Sequence, residues 1–206
     1  TLGVCHFPTF YQAMEATQQL VKLDPSAVEL VDRTMINLAR DIPMFKSTVD
    51  QFVQGEPEAL LLVEFSGEDQ QTLLDNLGRL VELMADLGFP GAVVEATNPE
   101  FQSAIWEVRK QGLNIMMSMK GDGKPVSFIE DCAVELTDLA EYTRRLTDIF
   151  RKHGTTGTFY AHASVGTLHV RPILNMKEEN GAHKMRAIAE ECFEMVREYK
   201  GSHSGE

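Results

Sequence analysis

Short apolar runs alternate along this chain with longer stretches of helical period. Gly3-Val4-Cys5-His6-Phe7 reads as a strand, and Phe10 to Leu23 as a helix with Met14, Thr17, Leu20 and Val21 near the 3.6-residue period. Asp24-Pro25-Ser26 ends that helix, because proline disfavours helical backbone at the residue before it. Ala27-Val28-Glu29-Leu30-Val31 alternates as a strand, and Asp32 is placed to cap a short helix running to about Arg40. Asp41 to Pro57 has no clear period and predicts loop with a small helix. Glu58 to Phe65 is the strongest buried-strand signal. Asp69 to Leu87 is the strongest helix, with Leu73, Leu74, Leu77, Leu80, Val81, Met84 and Leu87 on one stripe and Gly88 as terminator. A strand over Ala92 to Glu95 and a helix from Asn98 or Pro99 to about Gln111 follow. Val126 to Asp131 predicts a strand. Leu136 to Phe150 predicts a helix that ends near His153-Gly154. Two strands, Thr158 to Ala163 and Leu168 to Ile173, come next, and Met185 to Val196 forms an amphipathic C-terminal helix.

Strict β-α alternation can signal a parallel dinucleotide-binding sheet, but that needs phosphate-binding glycines after an early strand, and none occur. Only Ser164 to Thr167 separates the last two strands, so they form a hairpin. The expected fold is α+β: a mostly antiparallel sheet with helices packed on one face, built from ferredoxin-like repeats. The other face must be covered by something or be functional.

Composition narrows the function classes. Hydrophobic residues are 43% and charged residues 24% of the 206, an ordinary globular balance. A net charge of −12 argues against nucleic acid or an anionic membrane as a partner bound through bulk charge. The longest apolar run, Ala59 to Val63, is too short to span a bilayer. The first residues do not read as a signal peptide. Cys5, Cys132 and Cys192 are odd in number and widely spaced, which predicts buried free thiols in a reducing cytoplasm rather than a disulfide framework.

The most informative stretch is Tyr160 to Pro172. With a two- or four-residue loop centred on Val165-Gly166, His162 faces His169 across the hairpin, about 5 Å apart at Cβ. Two imidazoles so placed suit two ligands of one metal ion, Zn²⁺ or Mn²⁺ if a carboxylate completes the set. A solvated hairpin whose histidines bond to nearby hydroxyls satisfies the same spacing. Tyr160 and Arg171 share that face, which is polar and aromatic where a sheet interior would be apolar. Arg109, late on its helix, either complements the helix dipole or clamps a carboxylate. His6, His153, His183 and His203 have no partner pattern and read as structural or exposed. No nucleophile elbow, phosphate loop or His-Glu-x-x-His helix is present.

Four stretches together resemble the C-terminal substrate (cap) domain of FAD-linked oxidases, the vanillyl-alcohol oxidase superfamily that includes D-lactate, glycolate and D-2-hydroxyglutarate dehydrogenases. Pro25 to Arg33 is similar to the family's early strand and turn, and Trp106-Glu107-Val108-Arg109-Lys110 to its Trp-x-x-Arg helix. Pro125 to Asp131 with Ala133-Val134 resembles its central strand, and His162 to Pro172 its histidine hairpin. The likeness spans nearly the whole chain. Ser204-Gly205-Glu206 resembles the start of the family's Ser-x-Glu-His-Gly motif.

The resemblance implies that residues 1–206 are a single substrate domain from a longer flavoenzyme, whose FAD-binding domain lies upstream on the same polypeptide. It implies oxidation of a D-2-hydroxy acid to the 2-oxo acid with hydride transfer to FAD. His162, His169 and Glu206 would be the ligands of a divalent metal, Zn or Mn. Arg109, and less directly Arg171, would bind the substrate carboxylate. The general base would be the histidine after Glu206, so the chain alone holds no catalytic residue and no turnover. An iron–sulfur domain or electron-transfer partner is implied, because Ser164-Val165-Gly166-Thr167 replaces the family's usual Gly-Asp-Gly-Asn, as in larger members. Ile129 stands where some members carry a lysine. The location implied is cytoplasmic, with peripheral attachment at the inner membrane as its variant. A stand-alone ligand-binding or regulatory domain, and a small metallohydrolase built on the histidine pair, are the competing functions.

Overall fold

The structure is a computed structural model that describes residues 1–204. Eight strands form one antiparallel sheet: β1 (Leu2–Phe7), β2 (Ala27–Asp32), β3 (Ala59–Glu64), β4 (Val93–Ala96), β5 (Lys124–Pro125), β6 (Cys132–Ala133), β7 (Gly157–His162) and β8 (Thr167–Leu174). The spatial order is β4-β1-β3-β2-β7-β8-β5, with β6 also paired to β8. The helices are α1 (Phe10–Leu20), α2 (Arg33–Asp41), α3 (Pro43–Phe52), α4 (Gln70–Asp86), α5 (Pro99–Lys110), α6 (Gly112–Met117), α7 (Leu139–Lys152) and α8 (Gly181–Glu198). The first four strands, in the order 4-1-3-2 with α1 and α4 as connections, are a ferredoxin-like unit. The pairing of β2 with β7 extends it into the second half. The α+β, mostly antiparallel expectation is met. Among the described residues, no helix is long and apolar enough to cross a membrane.

Two apolar layers sandwich part of the sheet. On one face Ala13, Met14 and Leu20 of α1, Leu77, Leu80 and Met84 of α4, Tyr142, Leu146 and Phe150 of α7, and Ile188, Cys192 and Val196 of α8 cover the odd-numbered positions of β1, β3 and β7. On the opposite face Met35, Ile36, Phe45, Val49, Ile105 and Ile115, from α2, α3, α5 and α6, cover Leu2, Val4, Leu60 and Leu62. The face that the sequence left open is thus covered over β1, β3 and part of β2. Beyond β2 the apolar cluster of this layer stops. This explains two strand compositions. The central strand β3 is apolar at successive positions because both faces are buried, each leucine contributing about 2 kcal/mol of transfer free energy. In β8, by contrast, Thr167, His169 and Arg171 alternate with Leu168 and Val170, so that its second face is buried but polar.

Local signals account for the element ends. Asp32 accepts from the Met35 amide at 2.8 Å and starts α2. Asp69 accepts from the Thr72 amide and starts α4, and Asn98 caps α5 with Pro99 in its first turn. The segment Asp41 to Pro57 holds more helix than its weak period suggests: Pro43 sets the first turn of a ten-residue α3.

One strand is corrected. Val126 to Asp131 is not a strand; only Lys124–Pro125 and Cys132–Ala133 pair with β8. Asp131 adopts the left-handed region, φ 64°, and this breaks the ladder between them. The break turns Glu130 and Asp131 toward β8 instead of leaving them at alternating ladder positions. All three cysteines are buried free thiols, as expected.

Candidate functional site

The candidate site lies on the polar face of β7 and β8, beyond the apolar cluster under α2, α3, α5 and α6, and Thr167, His169 and Arg171 are buried there. Its hairpin turn runs through a single 3₁₀ turn at Ala163–Val165 and then Gly166. Gly166 has φ +71°, and a Cβ there would sit 2.1 Å from the Val134 carbonyl oxygen, so glycine is required on both counts. The turn fixes a register in which His162 pairs with Thr167, Ala161 with Leu168 and Tyr160 with His169. His169 therefore stands opposite Tyr160, not opposite His162 as the loop length suggested. The difference is two residues, which preserves the face. His162 and His169 are diagonal neighbours with ring centroids 5.0 Å apart, edge to face.

Each imidazole is oriented by a carboxylate. His162 Nδ1 lies 2.7 Å from Glu29 Oε1, and His169 Nδ1 lies 2.9 Å from Asp131 Oδ1. A ring whose Nδ1 is engaged this way offers Nε2 to a ligand, the usual arrangement around metal-binding histidines. The donor chemistry of the pair therefore fits a divalent cation. Among the described residues no group of three or more His, Cys, Asp or Glu side chains could hold a metal ion. Glu206, the third ligand expected, lies outside the described residues. Among the described residues, Ser202 bonds to Ala133 in both directions, and Ala133 pairs with Thr167, the ladder partner of His162. Gly201 permits that approach, since a Cβ there would lie 2.4 Å from the Ala133 carbonyl oxygen.

The two arginines flank Tyr160. Arg109 is 4.8 Å and Arg171 5.9 Å from the centroid of its ring, which stacks on His169 at 4.5 Å. Burial raises the Tyr160 hydroxyl above its ordinary value, against a lowering from Arg171. Arg171 is paired with Glu130 through Nε, and Arg109 Nη2 with Glu29 Oε2 at 2.7 Å. These arginines are about one-tenth exposed. Charges so deep in a protein need partners, and the paired acids supply them. Arg109 keeps one donor unused: its Nε is buried with no hydrogen-bond partner among the described residues.

The Trp106-x-x-Arg109 spacing has a physical origin here. Three residues apart, the two side chains share one face of α5. Trp106 Nε1 donates to Glu64 Oε1 at 2.9 Å, while Arg109 reaches Glu29. Glu29 pairs with Leu62, two residues from Glu64, so both acids lie on one face of adjacent strands. A helix period of three to four is thereby matched to a strand period of two.

The structure brings His162, His169, Arg109 and Arg171 together. It adds Glu29, Glu130 and Asp131, which the sequence did not single out. A usable signal for Glu29 was its position: an acid at an inward-facing place in a strand, between Ala27 and Val31. The other histidines are elsewhere. Burial lowers His6 below its ordinary value, and its ring accepts from the Gln54 amide at 3.0 Å and lies 3.0 Å from the Ala92 carbonyl. His153 pairs with Glu191 and His203 reaches the Phe193 carbonyl.

Comparison with known proteins gives three kinds of match. The family model of FAD linked oxidases, C-terminal domain, matches residues 1–206. The chain is 29% identical to D-2-hydroxyglutarate dehydrogenase of Escherichia coli (strain K12), over 97% of this chain and 20% of that protein. It is 28% identical to the D-2-hydroxyglutarate dehydrogenase of Pantoea ananatis, again over 97% and 20%. With the glycolate oxidase subunit GlcD of Bacillus subtilis it shares 22% identity over 95% of this chain and 40% of that protein. The chain thus spans about a fifth of the length of the dehydrogenases it matches. In three dimensions it resembles p-cresol methylhydroxylase, TM-score 0.68 at 12% identity, over 98% of this chain and 44% of that one. Alkyldihydroxyacetonephosphate synthase gives 0.58 at 14% identity, covering 98% and 40%. At such identities the two solved structures establish the fold alone.

Proposed function

Because this chain belongs to the family of FAD-linked oxidase C-terminal domains along its whole length, we propose that it is the substrate domain of an FAD-dependent oxidoreductase. The reaction is oxidation of a D-2-hydroxy acid, of lactate, glycolate or 2-hydroxyglutarate type, to the 2-oxo acid. One observation carries the reading within this family: two carboxylate-oriented imidazoles lie beside two guanidiniums on the polar face of β7 and β8.

A 2-hydroxy acid presents a carboxylate next to a hydroxyl. Arg109 and Arg171 hold the carboxylate with the guanidinium edges that Glu29 and Glu130 leave unused. His162 and His169, with Glu206 as third ligand, hold a divalent metal, Zn or Mn. That ion would act as a Lewis acid toward the hydroxyl. FAD, when bound, would accept the hydride, and the hydroxyl proton would pass to the histidine expected after Glu206. It is held mainly by a domain other than this one, on the same polypeptide. An iron–sulfur domain or electron-transfer partner takes the electrons onward. The share of the dehydrogenases that this chain covers, about a fifth, supports this division of labour.

The test is an absorption spectrum of the full-length protein before and after anaerobic addition of D-lactate, glycolate or D-2-hydroxyglutarate. A flavin spectrum that bleaches with one of these acids is the expected result. Absence of flavin, or a flavin inert to all three, would overturn the proposal.

A further inference from the structure

We propose that Glu29 is a positioning residue that couples the arginine clamp to the histidine pair: one carboxylate fixes both the imidazole of His162 and the guanidinium of Arg109. This deepens the proposed function and rests on it. Glu29 pairs directly with His162 in the β2–β7 ladder. Its Oε1 lies 2.7 Å from His162 Nδ1, and its Oε2 accepts from Arg109 Nη2 at 2.7 Å. The side chain is 12% exposed, so water does little to replace either partner.

Each contact has a separate consequence. A carboxylate facing Nδ1 favours the tautomer with the hydrogen on Nδ1, and in the neutral ring that puts the lone pair on Nε2, where a cation could use it. The Arg109 bond fixes one arm of a side chain that otherwise rotates about several bonds. This sets the guanidinium plane over Tyr160. The two functional groups come from elements far apart in sequence, α5 and β7, and Glu29 of β2 is the atom-level link between them. Asp131 orients His169 but, among the described residues, pairs with neither arginine, so it is no substitute.

Glutamine at position 29 separates the two arms. Its amide has one acceptor and one donor end. With the oxygen toward His162, the amino group meets the Arg109 donors and the arginine is released. With the amide reversed, the amino group faces Nδ1, the ring hydrogen moves to Nε2, and the lone pair leaves the position a metal would occupy. One arm fails either way.

The experiment uses the full-length protein. Zn²⁺ affinity is measured by competition with a chromophoric chelator, alongside kcat, KM for the D-2-hydroxy acid, flavin content and thermal midpoint. Glu29→Gln should weaken Zn²⁺ binding by roughly 10–100-fold, as loss of a ligand-orienting carboxylate does, or raise KM about tenfold or more. Flavin content should not change. Glu29→Asp, which keeps the charge and loses reach, should recover part of the loss. A purely structural role would lower the thermal midpoint and leave Zn²⁺ affinity and KM alone.

Should Glu29→Gln not fold, Glu29→Met with Arg109→Met removes both buried charges together. Its Zn²⁺ affinity should still fall by roughly 10–100-fold, because Nδ1 has lost its acceptor. A wild-type protein that binds Zn²⁺ and oxidises the acid, with variants within twofold in both Zn²⁺ affinity and KM, overturns the role of Glu29 alone. A wild-type protein that does neither overturns the proposed function and this inference with it.

Discussion

Tyr160 and His169 face each other across the β7–β8 ladder with rings stacked 4.5 Å apart and inclined by 28°. The tyrosine ring, more than its hydroxyl, organises this face, since Arg109 and Arg171 both lie against it. The hydroxyl's contact with Arg171 Nη2 is long, at 3.5 Å. Tyr160→Phe should therefore change stability by less than about 1 kcal/mol, whereas Tyr160→Ala should cost about 2–4 kcal/mol. Urea unfolding of the two variants measures the difference; equal losses would assign the role to the hydroxyl.

Asp32 sets a pH dependence. It caps α2 with one oxygen and accepts from the Phe159 amide with the other at 2.9 Å, joining β2 to β7. Burial raises its carboxyl from an ordinary value near 3.8 to about 6, with the Met35 and Phe159 amides pulling the other way. A carboxyl raised in the folded state favours folding when protonated. Its contribution is fully present below about pH 4 and is lost as pH rises through about 6, amounting to about 3 kcal/mol at about 1.4 kcal/mol per pH unit. Relative to Asp32→Asn, the wild-type protein should lose stability between pH 4 and 7 in urea titrations. A difference independent of pH would refute this assignment.

Removing His162 should separate binding from folding. Its side chain is 39% exposed, so His162→Ala should cost no more than about 1 kcal/mol of stability in circular dichroism melts. Divalent-metal affinity of the full-length protein should nevertheless fall steeply, and chelation of the wild-type protein should reproduce the loss of hydroxy-acid oxidation. Unfolding of the variant would show a structural role instead.

Gly166→Ala tests the hairpin. A methyl group would meet the Val134 carbonyl, in a backbone conformation that alanine adopts poorly. The expected loss is about 2–4 kcal/mol, or roughly 5–15 °C in Tm for a chain of this size. Calorimetry decides; an unchanged Tm would mean that the turn has another geometry in solution.

The fold was largely legible because periodicity and capping agreed. Asp32, Asp69 and Asn98 start helices where their sequence positions suggest. The side of the sheet that carries the histidines was legible too, because a two-residue error in register leaves every side chain on its original face. The pairing itself was not, since nothing in Ser164-Val165-Gly166-Thr167 announces a 3₁₀ turn beginning at Ala163. Val126 to Asp131 carries the apolar pattern of a strand, and nothing in that pattern announces the left-handed Asp131. The carboxylates were the least legible. With 31 acids in the chain, no local pattern selects Glu29 as the partner of a histidine 133 residues away.

The seam between β2 and β7 also bears on how the protein is made. Glu29 and His162 are 133 residues apart, and Asp32 and Phe159 are 127 apart, so the polar face exists only after a very long loop has closed. Contacts of such separation form late and slowly. Until β7 has been synthesised and docked, β2 is an open strand edge, its amides and carbonyls presented to any other extended chain. A ribosome paused between α4 and β7 would therefore display an adhesive half-molecule. Arrival of the histidine hairpin seals that edge in the same event that assembles the site.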